Sequence, residues 1–597
     1  MNRTLTLSPR DQAMLDGSEG PATQMAMSIV VQMAGIYGAT HLMDISAAHI
    51  DSTVYIGAAG LEFAEKLASL GAKVAVPTSL NVSGVDEHGW EEWSTPPAWA
   101  EQAHRQMVAY GSMGTLPTWT CAPYQSELRP AFGQQIAWGE SNAIAFANSV
   151  IGARTNRYPD LLDVCCAITG RVPAAGLHLT ANRAADLHLH LQDIPVALQQ
   201  DESFYPVLGH LLGKLAGDSI PVITGLSVTP TEDQLKALGA GAASSGAVAL
   251  FHIVGVTPEA PTLAAALQNG QPTRRVDVGL AMLAAARREL TTANGEPLDL
   301  VVLGSPHFSL AEFRQLVPLL VGKKCHPTVR FLVTTSRMMS LLAQKAGLLD
   351  PLEAFGGRVT VDTCILTSPM LPASVKTLMT NSAKYAYYSP GLLQMQTVFG
   401  SLEDCVQSAV TGQVVREEGL WEGEVEVALW ESTSQSDPAS PLPSASTPPQ
   451  VRRQPFSVQG SPFIAGSARG EALVSSEPLS FWGGYDHRNG EIIDRRHPLA
   501  GQIAAGKILV VPFTRGSSTT TAVLLEAVRA GTAPAAILTT QVDSFFALAS
   551  IVAQELFRKK IPLVALPPEV CAAIPQGAQV QVMLDGSVQW DDQSSSG

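Results

Sequence analysis

The chain has 597 residues, about four times an ordinary domain of roughly 150 residues, which predicts two or three domains once large α/β units are allowed for. Hydrophobic residues make up 46% and charged residues 15%, a balance that excludes a disordered chain and supplies large cores. Asp and Glu number 53 against 38 Lys and Arg, which excludes the basic footprint of a nucleic-acid or membrane-surface binder and leaves small molecules as the expected partners.

The first twenty residues are polar, with Arg3, Arg10, Asp11, Asp16 and Glu19 and no apolar stretch, so we expect no signal peptide and a cytoplasmic protein. Two uncharged runs, 20–43 and 237–258, are long enough to span a bilayer, but Gln24, Ser28, Gln32 and His41 interrupt the first and four glycines the second. Both read as buried elements with their loops. Seven cysteines in so long a chain give no disulfide framework and no Cys-x-x-Cys, so each is weighed alone.

Cys121 sits in the Pro-punctuated loop Pro117-Thr-Trp-Thr-Cys-Ala-Pro-Tyr124, where a thiolate can be presented to a site. The stretch 137–157 is dense in Glu, Asn, Ser and Arg amid small residues. There Glu140, Asn142, Asn148, Arg154 and Arg157 read either as a carboxylate-recognition and acid/base wall or as helix caps and ion pairs. Apolar runs at 300–303, 329–333 and 359–361 alternate with amphipathic stretches, an α/β pattern. Cys364 follows the third run, and Pro306-His307 and Thr380-Asn381-Ser-Ala-Lys384 have the same two readings. Ser401 to Gly412 reads as a capped helix with Cys405 in a core.

From Ser432 to Pro449, 13 of 18 residues are Ser, Thr or Pro, a linker composition. Beyond it, strands at 507–512, 535–538 and 561–566 alternate with helices reaching Ala530 and spanning 543–560, the order of parallel βαβ units in a small α/β domain. The turn Thr514-Arg515-Gly516-Ser517-Ser518-Thr519-Thr520-Thr521 brings a guanidinium and several hydroxyls to a helix start, where free N–H groups attract anions. Ser517, its alkoxide stabilised by a cation and amides, can take a proton from carbon. Alternatively, Ser517 and Ser518 cap the helix.

Together, Pro77-Thr-Ser-Leu-Asn-Val82, Thr120-Cys-Ala-Pro-Tyr124, Glu140-Ser-Asn142, Asn148-Ser-Val-Ile-Gly-Ala-Arg-Thr-Asn-Arg157, Asp362-Thr-Cys364, Thr380-Asn-Ser382, Ser480-Phe-Trp-Gly-Gly484 and Arg515-Gly-Ser-Ser518 resemble the aconitase X family. The resemblance implies an α/β catalytic region at 1–431, a Ser/Thr/Pro-rich linker at 432–456 and a swivel domain at 457–597. It implies a hydro-lyase with an iron or iron–sulfur centre between the two parts, Cys121 and Cys364 as ligands and Ser517 as base. Many members show Gly-Cys-Pro-His where this chain has Gly304-Ser305-Pro306-His307. That departure argues against a three-cysteine [4Fe–4S] site and for a [2Fe–2S] cluster or mononuclear iron, with help from Glu140 or another residue; Cys325 is the substitute thiol. Arg515, Ser518, Asn142, Arg154, Arg157, Asn381 and Lys384 become candidate substrate contacts, and Glu140 and His307 further acid/base candidates.

Fused members of this kind are associated with dehydration of cis-3-hydroxy-L-proline. The expected partner is therefore a small hydroxy acid, with no nucleic acid or membrane and the chain a monomer or homo-oligomer. The alternatives are a mevalonate 5-phosphate dehydratase and a non-catalytic binding protein that has lost its metal.

Overall fold

The computed structural model describes residues 5–422 and 456–591. The linker expected at 432–456 lies outside the described residues except for Phe456, which opens the strand Phe456–Gln459. The region expected as a large multi-part catalytic region is built, among the described residues, on three separate parallel sheets. The first orders Thr78–Leu80, Ala48–Ile50 and Ala137–Trp138; the second orders His252–Ile253, Pro221–Thr224, Leu187–Leu191 and Arg274–Val278. The third orders Gly357–Val361, Arg330–Thr335, Leu300–Leu303, Thr377–Thr380 and Gln396–Phe399.

In the third sheet the chain begins at the central strand, winds to one edge and then returns to fill the other side. The reversal falls between Leu300–Leu303 and Thr377–Thr380, and ligands of open parallel sheets sit outside the carboxyl ends of the strands at such a point. Gly304 follows the first of these strands at φ +96°, and a Cβ there would lie 2.1 Å from the Thr334 carbonyl. Only glycine lets the chain turn at that spot.

The C-terminal unit is an eight-stranded mixed sheet whose parallel part joins Ala468–Val474, Ile508–Val510, Ala536–Thr539 and Leu563–Ala565. The helices Thr520–Ala530 and Ser544–Phe557 pack on Ala58–Ser69 and Pro21–Ile36 of the first unit. One apolar core therefore runs across the junction, from Met27 and Phe63 to Leu524, Val528 and Phe546. Around it lie polar contacts: Glu526 accepts from Ala59 N at 2.6 Å, and Arg529 pairs with Glu62 at 2.9 Å.

The uncharged run at 20–43 is the buried helix Pro21–Ile36 with the strand Leu42–Asp44; that at 237–258 holds most of Glu232–Ser245 and the strand His252–Ile253. Among the described residues no helix is long and apolar enough to cross a membrane. Ser401 caps Leu402–Thr411, Gly412 ends it in the left-handed region, and Cys405 is buried, as the sequence pattern predicts.

Candidate active site

Three sets of strand ends converge on one cleft. Asp51 follows Ala48–Ile50, Asn81 and Val82 follow Thr78–Leu80, and Glu140 comes two residues after Ala137–Trp138. From the third sheet come Gly304, Ser305, Cys364 and Lys384, and from the C-terminal unit Trp482, Ser517 and Thr519. The cleft encloses about 460 Å³, including the solvent at its mouth.

Cys121 and Cys364 both line it and neither is in a disulfide. Burial pushes the Cys121 thiol up to about 12. The His307 backbone N–H donates to Cys121 Sγ at 3.3 Å, and the His307 ring spans the two motifs, Nδ1 3.1 Å from Thr120 Oγ1 and Nε2 3.3 Å from the Thr363 carbonyl. The imidazole touches the residue before each cysteine, and burial lowers it to about 4. Neutral His307 thus positions the thiols from behind the cleft instead of lining it as an acid or base. Ser305 stands beside the thiols, and among the described residues no group of three His, Cys, Asp or Glu lies at metal-ligand spacing.

Glu140 reads in the structure as both a cap and a wall. It caps the helix Ser141–Phe146 by accepting from Ala143 N at 2.6 Å, while Lys384 Nζ donates to its other oxygen at 2.6 Å. Burial works against the Lys384 charge, but Glu140 and Cys121 more than offset it and hold its pKa above the usual lysine range. Asn142 does not face substrate: its amide donates to Glu140 and to the Cys121 carbonyl, both at 2.7 Å, so it fixes the carboxylate and the thiol loop together.

Thr519, not Ser517 or Ser518, precedes the helix Thr520–Ala530, and no side chain caps that end. Ser517 lines the cleft, its Oγ donating to Thr519 Oγ1 at 3.1 Å and accepting from Thr519 N at 3.3 Å. Gly516, at φ +76°, sets the turn where a Cβ would collide with Ser480 and the Tyr388 hydroxyl. Ser518 points the other way: its Oγ lies 2.8 Å from Asp51 Oδ2 and against the Gly139 carbonyl, docking the turn onto the first sheet.

The three arginines do not reach the cleft. Arg157 is half-buried behind the turn, 4.2 Å from the Phe545 ring, and donates to the Thr514 and Gly516 carbonyls. Arg515 pairs with Asp494 at 3.0 Å, and Arg154 binds Thr180 at 2.7 Å. Asn148 ties the Thr155 and Ala249 carbonyls, and Asn381 lines a separate cavity with Glu202 and Glu312. Cys325 lies at the opposite end of the third sheet. It precedes Arg330–Thr335, whereas Ser305 and Cys364 follow their strands, and its thiol donates to the Val329 carbonyl at 3.3 Å. Six strand residues set the two ends about 20 Å apart.

Sequence reasoning missed Asp51 and the carboxylates behind it, and named Asn81 only as part of the Pro77–Val82 motif. Asp163 accepts from Asp51 N, Ser52 N and Ser52 Oγ at 2.6, 3.2 and 2.8 Å, and so fixes the backbone after the strand. Burial, with the Glu140 charge nearby, raises Asp51 to about 7. The signal that could have found Asp51 is position alone: an acid following a short apolar run.

Models of four aconitase X domains match this sequence: the first domain at 4–181, the second at 185–288, the third at 298–411 and the swivel domain at 457–590. The chain belongs to the aconitase X family. The cis-3-hydroxy-L-proline dehydratase of Pseudomonas aeruginosa is 48% identical over 406 residues, 68% of this chain and 70% of that protein. A phosphomevalonate dehydratase large subunit of Methanothermobacter thermautotrophicus is 39% identical over 66% of this chain and 96% of its own length. The crystal structure of Thermococcus kodakaraensis aconitase X in its holo-form superposes with a TM-score of 0.62 at 32% identity, over 68% of this chain and all of that one. The first three matches split the expected 1–431 region at the boundaries of its three parallel sheets. As a member of this family with dehydratase relatives, the chain is a hydro-lyase.

Proposed function

We propose that this hydro-lyase dehydrates cis-3-hydroxy-L-proline to Δ1-pyrroline-2-carboxylate, with iron held by Cys121 and Cys364. The observation that carries the substrate choice is the charge of the cleft. Its lining offers the Glu140 carboxylate, the carboxyl of Asp51, which burial raises to about 7, and a single cation, Lys384, already paired with Glu140. That set suits a small zwitterion, whose ammonium meets the acids and whose carboxylate meets the lysine. A phosphate dianion would face two acids with no arginine within the lining, which weighs against mevalonate 5-phosphate.

The donor set fits the metal. Two free thiols with a hydroxyl at the third position suit a [2Fe–2S] cluster or single iron bound through two cysteines better than a three-thiolate cluster. When bound, iron would supply a Lewis acid for the departing hydroxyl. The chain's own residues do the rest. Glu140 and Lys384 hold the substrate's charged ends, Ser517 takes the Cα proton, Trp482 limits water, and His307 with Asn142 keeps the thiol loops in place.

The test offers purified, iron-replete protein cis-3-hydroxy-L-proline and mevalonate 5-phosphate in parallel. Formation of pyrroline-2-carboxylate from the first alone is expected. Turnover of the second with none of the first overturns the assignment, and a protein that takes up no iron and turns over neither supports a binding role.

A further inference from the structure

Ser517 needs somewhere to send its own proton before it can act as a base, because a serine hydroxyl is far too weak an acid to lose it to water at neutral pH. Its Oγ lies 3.1 Å from Thr519 Oγ1, and Thr519 is itself part of the cleft. Beyond Thr519 is Asp160, completely buried, with the Thr519 hydroxyl and the Asp51 carboxyl adjoining its side chain. Neither carboxyl oxygen of Asp160 is in a formed hydrogen bond among the described residues. Asp163, three residues on, is its opposite: it accepts from the backbone N–H groups of Asp51, Ser52, Leu161 and Val164 and from the Ser52 hydroxyl. A buried carboxyl left without partners in a native fold calls for a reason.

Asp51 is the carboxyl that adjoins Asp160 and reaches the cleft. The Ser518 hydroxyl has one hydrogen and two acceptors against it, Asp51 Oδ2 and the Gly139 carbonyl. Ser518 is the donor to Asp51 Oδ2, with the Gly139 carbonyl sharing its hydrogen. The other Asp51 oxygen accepts from the Asn81 amide. Asp51 is faced by Glu140, Asp160 and Asp163, and Asp160 by Asp51 and Asp163, so the charges acting most strongly on the pair are carboxylates. Tyr110, Cys165 and Cys166, the other titratable groups near Asp163, are all pushed up by burial, and Tyr110 donates to the Ser52 carbonyl. Two adjoining buried carboxyls cannot both ionise, and they hold a proton between them.

We propose that Thr519, Asp160 and Asp51 form a proton relay that receives the Ser517 proton and returns it to the departing hydroxyl. The proposal rests on Ser517 being the base. In the first step the Ser517 O–H bond breaks and its electron pair stays on oxygen. Thr519 takes that proton while passing its own to the carboxylate of the Asp160–Asp51 pair. The Ser517 alkoxide then takes the Cα proton and is a hydroxyl again, the C–H pair remaining on carbon. The C3–O bond breaks with its pair on oxygen, and Asp51, at the cleft wall, gives that oxygen the stored proton to make water. The serine and the carboxyl pair end as they began, with no further reactant. Asp51 is thus a catalytic residue, and Thr519 and Asp160 act through their neighbours.

Asp160→Asn, Thr519→Val and Thr519→Ser, assayed beside Ser517→Ala at matched iron content, test this. Asp160→Asn and Thr519→Val should each lower kcat by on the order of a hundredfold with KM within about twofold. Thr519→Ser, which keeps the hydroxyl, should restore most of the rate, and the wild-type acid limb of the pH–rate profile should be displaced in Asp160→Asn. If Ser517→Ala keeps its rate, the base reading falls and the relay with it. If Ser517→Ala is inactive while Asp160→Asn and Thr519→Val stay within about twofold of wild type, the relay alone is overturned. A readout free of turnover is infrared difference spectroscopy of the unliganded protein between about pH 5 and 9. The carbonyl stretch of a protonated carboxylic acid should titrate in wild type and be diminished in Asp160→Asn, and an identical band in both would overturn the shared proton.

Discussion

The two walls of the cleft hold their chemistry in opposite ways. On the thiol side, Cys121 and Cys364 are braced from behind by a neutral His307, by Asn142 and by Thr367, whose hydroxyl is 3.6 Å from Cys364 Sγ. Every brace is a short polar contact within the three-sheet region, so this wall is preformed. On the carboxyl and hydroxyl side, Ser517 and Thr519 arrive on the C-terminal unit and meet Asp51 and Asp160 only because that unit docks. Ser518, Arg157 and Glu526 make the docking contacts. The thiol wall thus lies wholly within the three-sheet region, whereas the carboxyl and hydroxyl wall is shared between that region and the swivel domain.

The largest expected effect breaks the thiol wall alone. Cys121→Ala or Cys364→Ala should abolish iron retention and lower turnover by a factor on the order of 10³ or more, while the fold survives, as metal analysis and circular dichroism will show. Next comes the bridge between the walls. Lys384→Met leaves Glu140 buried without its cation, and loss of one partner of such a pair costs about 3–5 kcal/mol, measurable as a lowered denaturant midpoint.

The carboxyl wall should behave in the reverse sense. Burial raises Asp51 to about 7 and Asp160 upward as well, so the folded chain keeps protons that the unfolded chain has already lost. Their contribution to stability is fully present below about pH 4 and lost as pH rises through about 7. Asp160→Asn should therefore match wild type near pH 4 and be more stable by about 1–3 kcal/mol at pH 8 by chemical denaturation, while losing activity. The smallest effect belongs to docking: Glu526→Ala removes a buried carboxylate from the amino end of Ala58–Ser69 and should cost about 0.5–2 kcal/mol, with KM affected more than iron content.

These asymmetries explain what the sequence disclosed. The swivel strands and helices, the central strands of the third sheet and the Ser401 cap were legible because long apolar runs and capping residues act locally. The cysteines and Ser517 were legible through motifs on loops. Asp51 and Asp160 were not, since the strands of the first sheet are only two or three residues long and carry no periodicity to mark their ends. The arginines misled for a physical reason. Arg is suited to carboxylates, but it is equally suited to bundling backbone carbonyls, and Arg157 does the latter. Cys325 misled because residue spacing is silent about which end of a parallel sheet a loop occupies.

The most direct test of the two-wall account is kcat for cis-3-hydroxy-L-proline in Ser517→Ala protein matched to wild type in iron content. The account predicts a fall of about a hundredfold or more, since the metal side is intact and the proton has nowhere to go. A rate within about threefold of wild type would contradict it and leave the swivel domain a cover without chemistry.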